Sequence, residues 1–325
     1  MNLFRLAPLL LAVACTGTSK DETGTVDTDT DVVDTDTDVE PVVVWQEHRI
    51  STSSTLNGVY ASGDGVWAAG TGAEIFLGGA DTEWASQFTT VSDEEDFTDL
   101  WGQGAGGTLE LVASATSGYV ARRSGGTWTP GDLGTADHTG VGGSGLSALY
   151  AVSWGSIFSF DGATWTFEAP PNGASLNDVY GIGADAITVG EGGIILRRDA
   201  EPDTGVGPVW AAMSSGITSD LNAVAGVSMT DVWAVGADGI ALHWDGVAWT
   251  PQPTGVDEAL WAVFAPATDA VYAVGSAGTA LVWDGVVWTV LPTGVAENLY
   301  AVHGTSSTNV WAVGNRGMAL QYIAP

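Results

Sequence analysis

One unit recurs along the chain, and it limits the fold more than any other feature. From Leu221 the sequence reads LNAVAGVSMTDVWAVGADGIALHWDGVAWT, from Leu260 LWAVFAPATDAVYAVGSAGTALVWDGVVWT, and from Leu299 LYAVHGTSSTNVWAVGNRGMALQYIAP. Val224 and Val232, Val263 and Val271, and Val302 and Val310 are each eight residues apart. Looser copies open at Leu56, Phe97, Thr139 and Leu176, giving seven copies with a period near 40 residues. A fixed period of this length means that one supersecondary unit is stacked against copies of itself.

Each copy contains four short apolar or alternating runs. Two-residue periodicity and β-branched side chains make these strands, and no segment reads as a helix. Asp161-Gly162, Asp245-Gly246 and Asp284-Gly285 fall between the third and fourth runs, where Gly and Asp tolerate the positive φ of a tight hairpin. Four antiparallel strands, repeated seven times, predict an all-β, seven-bladed β-propeller over residues 42–325.

The phase of the repeat at the two ends extends this prediction. The last copy stops at Pro325 after three runs. The fourth-run tryptophans are Trp45, Trp84, Trp128, Trp165, Trp210, Trp249 and Trp288, and the first of them precedes any first run. Val42–Gln46 is therefore expected to supply the strand missing from the last blade and to close the ring. The tryptophans are read as packing between blades. A buried aromatic removes roughly 150–250 Å² from water, or about 4–6 kcal/mol gross, before entropy is subtracted.

The segments before residue 42 have a different character. MNLFRLAPLLLAVAC has one basic residue, Arg5, and an apolar stretch from Leu6 to Val13 too short to span a bilayer. Leu11-Ala12-Val13-Ala14-Cys15 resembles the lipobox of bacterial lipoproteins, although Ala12 stands where Leu is commonest. The resemblance implies a signal peptide over 1–15, lipidation of Cys15 and a membrane anchor. Thr16, rather than Asp, after the cysteine implies sorting to the outer membrane. Cys15 is the only cysteine, so it forms no disulfide within the chain.

Residues 16–41 carry nine acids, one Lys and no aromatic side chain. Such a segment buries too little surface to offset its ordering entropy and is read as a disordered linker. Stretched by charge repulsion, it reaches up to roughly 90 Å. Its Asp-Thr alternation is not an EF-hand loop: counting from Asp27, Val32 and Asp38 stand where Gly and Glu are needed.

Composition excludes further classes. The 325 residues hold 39 acidic and 8 basic side chains, for a net charge of −31. Phosphate binding needs clustered Lys and Arg, so nucleic acid is not a partner. The motif V-W-A-V-G-x-x-G-x-x-L-x-W-D-G-x-x-W is similar to tectonin repeats. Asp161–Trp165 is similar to an Asp-box (BNR) repeat shortened by one residue, and the whole array resembles kelch-like propellers. These resemblances imply the fold, and they leave function open among lectins, enzymes and scaffolds.

Catalytic motifs are nearly absent. Gly102–Gly107 matches G-x-G-x-x-G, but a strand-like run follows it, so no helix terminus meets a pyrophosphate. His48, His138, His243 and His303 occupy variable positions of the repeat, and no metal or cofactor is expected. Propeller sialidases use several arginines around a carboxylate. Here Arg122-Arg123 and Arg197-Arg198 fall at the ends of third strands and are expected to face blade edges. Asp93-Glu94-Glu95-Asp96 reads as a solvated loop.

What remains is the rim of the channel. The second residue of the first strand is Asn57, Thr98, Asn177, Asn222, Trp261 or Tyr300 in successive copies. Amides and aromatics suit hydrogen bonding and stacking. Asn57, Asn177, Asn222, Trp261 and Tyr300 are the ligand-binding candidates. The expected function is a lipid-anchored, non-enzymatic module that binds protein or glycan. A sialidase-like hydrolase and a purely structural envelope protein are the alternatives.

Overall fold

The computed structural model describes residues 45–87, 95–134, 137–199 and 209–323. Seven four-stranded antiparallel sheets form a β-propeller. In blade five the strands are Leu221–Ser228, Asp231–Gly236, Ala241–Trp244 and Trp249–Pro251. The first lines the central channel and the last is outermost. The helical elements among the described residues are three-residue 3-10 turns.

The ring closes as the phase of the repeat requires. Blade seven takes three strands from the C-terminal end, Leu299–Ser306, Asn309–Gly314 and Ala319–Ile323, and its outer strand is Trp45–Glu47. Trp45 pairs with Tyr322 and Gln46 with Gln321. The expected closing strand spanned 42–46, and Val42–Val44 lie outside the described residues. The leader 1–15 with Cys15 and the linker 16–41 lie outside them too.

The sequence places two kinds of aromatic residue so that blades one, three, five and seven each grip the next. Second-strand aromatics are buried against the outer-strand tryptophan of the following blade. Trp67 meets Trp128 at 6.3 Å between ring centroids, Tyr150 meets Trp210 at 6.0 Å, Trp233 meets Trp288 at 5.2 Å, and Trp311 meets Trp84 at 6.0 Å. All four pairs are edge-to-face, the geometry favoured by ring quadrupoles. The Trp311–Trp84 pair joins blade seven to blade one, so the seam is packed like the three other joints of this kind.

The turns follow the sequence for two different reasons. Between second and third strands, Asp238 and Gly239 both have positive φ (57° and 65°), and Ile240 N–H donates to Ala237 O. Two left-handed residues in succession are the type I′ requirement. Gly239 is also enclosed: a Cβ there would lie 2.0 Å from Val256 O. In the Asp-Gly turns between third and fourth strands only the glycine has positive φ, as at Gly246 and Gly285. There the aspartate serves as an acceptor: Asp245 Oδ1 takes the N–H groups of Val247 and Ala248, and Asp284 Oδ1 those of Val286 and Val287. These bonds hold both carboxyls below the usual carboxylate range.

Candidate functional site

Every inner strand starts at the same end of the channel, here called the entry face. The second-to-third turns and the loops joining one blade to the next lie on that face. The third-to-fourth turns lie on the opposite, exit face. The inner strands enclose a space of about 320 Å³, lined by their second to sixth residues.

An innermost strand has a sheet partner on one side only, so its free edge leaves main-chain groups to be satisfied by other means. Three of the candidate residues do this work. Asn57, Asn177 and Asn222 each donate a side-chain N–H, at 2.8 Å, to the carbonyl of Phe97, Leu221 and Leu260 in the next blade. Thr139 does the same for Leu176 O at 2.7 Å. Thr98 bonds Ser114 inside its own blade. The amide candidates thus line the channel while their donors tie neighbouring blades together.

Trp261 and Tyr300 interrupt this belt. They lie in adjacent blades with ring centroids 6.0 Å apart. Their polar atoms stay local: Trp261 Nε1 donates to Ser276 Oγ, and the Tyr300 hydroxyl accepts from Asn298 Nδ2. Trp261 remains 36% exposed. On the same face, the shortened second-to-third turn of blade three presents Trp154, which is 62% exposed. Trp154 forms a bridge with Ser175, just before the inner strand of blade four.

Three channel residues carry chemistry: two that the sequence reading did not single out, and a third that it set aside as a variable position of the repeat. Asp99 and Asp178 occupy the third inner-strand position, which is Gly or Ala in the other blades. Asp99 Oδ1 accepts from Leu100 N and Oδ2 from Val141 N; Asp178 Oδ1 accepts from Val179 N and Oδ2 from Val224 N. Each carboxyl therefore ties its blade to the next. Burial raises the pKa of both, and the nearby Asp99 charge adds to the rise at Asp178. The third residue is His303, which accepts Ala61 N–H at Nδ1 across the blade seven–blade one joint. Its ring lies between Phe264 and Tyr60, at 4.8 Å from each. Burial lowers its pKa to about 4, so the ring is neutral. The signal for the two aspartates was there to read: an acid in a slot that otherwise holds only Gly or Ala.

The remaining candidates are spread through the fold. His243 bonds Asp231 and stacks on Trp233, His48 tilts against Trp311, and His138 is buried beside Phe158. Among the described residues no group of three or more His, Cys, Asp or Glu side chains is arranged to hold a metal ion. Three of the four paired arginines contact neighbouring blades. Arg122 lies over Phe160, Arg123 over Trp67 and Arg198 over Tyr150, each ring belonging to a neighbouring blade. Asp93 and Glu94 lie outside the described residues. Asp96 accepts Gly72 N–H, and Glu95 accepts the Thr116 hydroxyl.

Comparison with known proteins places the chain by shape. It is a seven-bladed propeller. YCF48 bound to a D1 peptide matches it with a TM-score of 0.66 at 15% identity, over 87% of this chain and 97% of that one. YCF48 from Cyanidioschyzon merolae matches with 0.66 at 17%, over 86% and 98%. The RRP9 WD40 repeats match with 0.71 at 10%, over 87% and 98%. Identities this low carry the fold alone. No protein-family model and no curated protein matches the chain.

Proposed function

We propose that the propeller is a non-enzymatic binding module that presents its entry face to a protein partner. In this reading the leader and acidic segment tether it by a lipid on Cys15, outside the cytoplasm and at the outer membrane. The observation that carries the reading is the pair Trp261–Tyr300. At these two places aromatic rings replace the amides and hydroxyls that other blades place at the channel mouth. Exposed aromatic side chains beside a concave opening favour binding. Trp154 widens the aromatic surface on the same face. A protein of this shape, YCF48, holds a peptide, which supports a protein rather than a glycan as the occupant. The tectonin, Asp-box and kelch-like resemblances agree with a binding module without choosing its ligand.

The test is photo-crosslinking from single sites of the full chain in its native envelope. A crosslinker at position 261 or 154 is expected to capture one protein that a crosslinker at position 286, on the exit face, does not. Equal capture from both faces would sink the reading. So would glycan binding without protein capture, or sugar release. Cys15→Ser is expected to move the chain from the membrane to the soluble fraction; continued membrane retention would refute the lipid tether.

A further inference from the structure

We propose that the channel mouth receives a lysine or arginine side chain of the protein partner, between the rings of Trp261 and Tyr300 and the carboxylates of Asp99 and Asp178. This rests on the protein-binding reading above and narrows it to the chemistry of the inserted group.

Four observations converge on a cation. The channel offers about 320 Å³, at the small end of the roughly 300–1,000 Å³ that ligand sites occupy. Its wall includes Asp99 and Asp178 and no Lys or Arg. The faces of Trp and Tyr attract ammonium and guanidinium groups through their quadrupoles. Finally, Ala61 N–H occupies His303 Nδ1, which leaves the ring proton on Nε2. His303 also lines the channel, and in this proposal its Nε2–H donates to a main-chain carbonyl of the segment that carries the cation.

The carboxylates are prepared for such a guest. Each oxygen already accepts one main-chain N–H, which fixes the group, and each retains a further lone pair. Without a guest, two buried negative charges are unfavourable: burial raises the pKa of both carboxyls, and the Asp99 charge adds to the rise at Asp178. A bound cation relieves the repulsion and drives a proton off the pair. The other ionisable side chains on the wall are Tyr180, Tyr300 and His303.

The experiment titrates the full chain with three defined probes: Nα-acetyl-arginine methylamide, Nα-acetyl-lysine methylamide and the neutral citrulline counterpart. Calorimetry in two buffers of different ionisation enthalpy counts protons. The cationic probes are expected to bind with Kd on the order of millimolar, at least about tenfold tighter than citrulline, with proton release. Trp261→Leu and Asp178→Asn are each expected to weaken binding about fivefold or more. Citrulline binding as well as arginine in the unaltered protein would overturn the proposal, as would unchanged binding in variants that keep their melting temperature. A partner crosslinked at the entry face of a protein that ignores all three probes would overturn this inference and leave the protein-binding reading standing. Probe binding without any crosslinked partner would do the reverse.

Discussion

Blades five to seven and blades two to four share one strand order but hold their neighbours by different means. In blades five to seven the third inner-strand residue is Ala223, Ala262 or Ala301, and the joints are filled by aromatic rings such as Trp233 against Trp283 and Trp288. In blades two to four the same level holds Asp99, Gly140 and Asp178. Gly140 has no room for a side chain: a Cβ there would lie 2.8 Å from Asp178 Cα. His138 takes the opening place that is Leu or Phe in every other blade. Arg198 stands where Trp244, Trp283 and Tyr322 stand later, each paired with the second-strand residue at one level. Close repetition gives apolar joints that tolerate copying. Where the repeat has drifted, the backbones come closer and polar side chains make up the lost contacts.

The contrast breaks most visibly at the polar joint between blades three and four. Glu168 accepts Arg198 Nε and Nη2 at 3.0 Å each, Trp210 Nε1 at 2.7 Å and the Ser159 hydroxyl at 2.7 Å. Arg198 and Glu168 are largely enclosed, so removing one partner strands the other. Glu168→Ala is expected to cost about 3–5 kcal/mol in chemical denaturation. The double change Glu168→Leu with Arg198→Met should recover most of it, because an apolar joint is what the later blades use. A single variant as stable as the parent would show that the joint does not depend on this pair.

Acid and base should separate the two halves next. His303 in blade seven has its folded pKa lowered to about 4 from an ordinary 6.5, so the unfolded chain binds the proton first as pH falls. Its contribution, about 3 kcal/mol, is complete above pH ~6.5 and lost as pH falls towards ~4. Burial lowers the pKa of His138 as well, which acts in the same direction. Asp99 and Asp178 act oppositely. Their folded pKa values are raised, so the folded state keeps protons that the unfolded chain has released, and stability falls as pH rises above the ordinary carboxylate range. The windows overlap, because His303 acts between about pH 4 and 6.5 and Asp99 up to about pH 6, so the opposed contributions largely offset one another in the parent. Across that range His303→Phe, the residue of blade six in that slot, should make the melting temperature fall more steeply as pH rises, and Asp99→Asn less steeply. Parallel curves for parent and variants would contradict these assignments.

A smaller effect compares the second-to-third turns. Gly239→Ala adds positive-φ strain of about 1–2 kcal/mol and pushes on Val256 O, 2.0 Å from the new Cβ. Gly155 in blade three also has positive φ (84°), but the nearest atom to an added Cβ is Gly173 O at 3.9 Å. Gly155→Ala should therefore cost only the strain. Equal losses in the two variants would mean that the loop over Gly239 yields freely.

These differences mark what was legible in the residues. The blade count, the strand order and the closing strand followed from spacing alone, since period and phase are properties of the chain. Asn57, Asn177 and Asn222 were found by position, yet their role as ties between blades depends on which carbonyl lies opposite, and no sequence spacing reports that. Asp99 and Asp178 were not singled out, and His303 was set aside as one of four histidines at variable positions of the repeat. Their chemistry comes from enclosure in a channel shared by all seven blades. The Asp-Gly turns were located correctly, but the aspartate proved to be an acceptor of two N–H groups rather than a residue chosen for positive φ.

The exit-face turns set the lower limit of the comparison. Asp161-Gly162-Ala163-Thr164 in blade three and Asp284-Gly285-Val286-Val287 in blade six use one hydrogen-bond pattern, an aspartate oxygen accepting the two N–H groups that follow the glycine. Val286 is 76% exposed, so its side chain contributes little to packing. Replacing Val286-Val287 by the Ala-Thr of blade three should change stability by no more than about 0.5 kcal/mol, or about 1–2 °C in melting temperature. Replacing Asp284 by Ala should cost more than that exchange, since two main-chain donors lose their acceptor. If the valine exchange proved the more damaging, the turn would owe its shape to side-chain packing, and the two halves of the ring would differ on their exit face as well as at their joints.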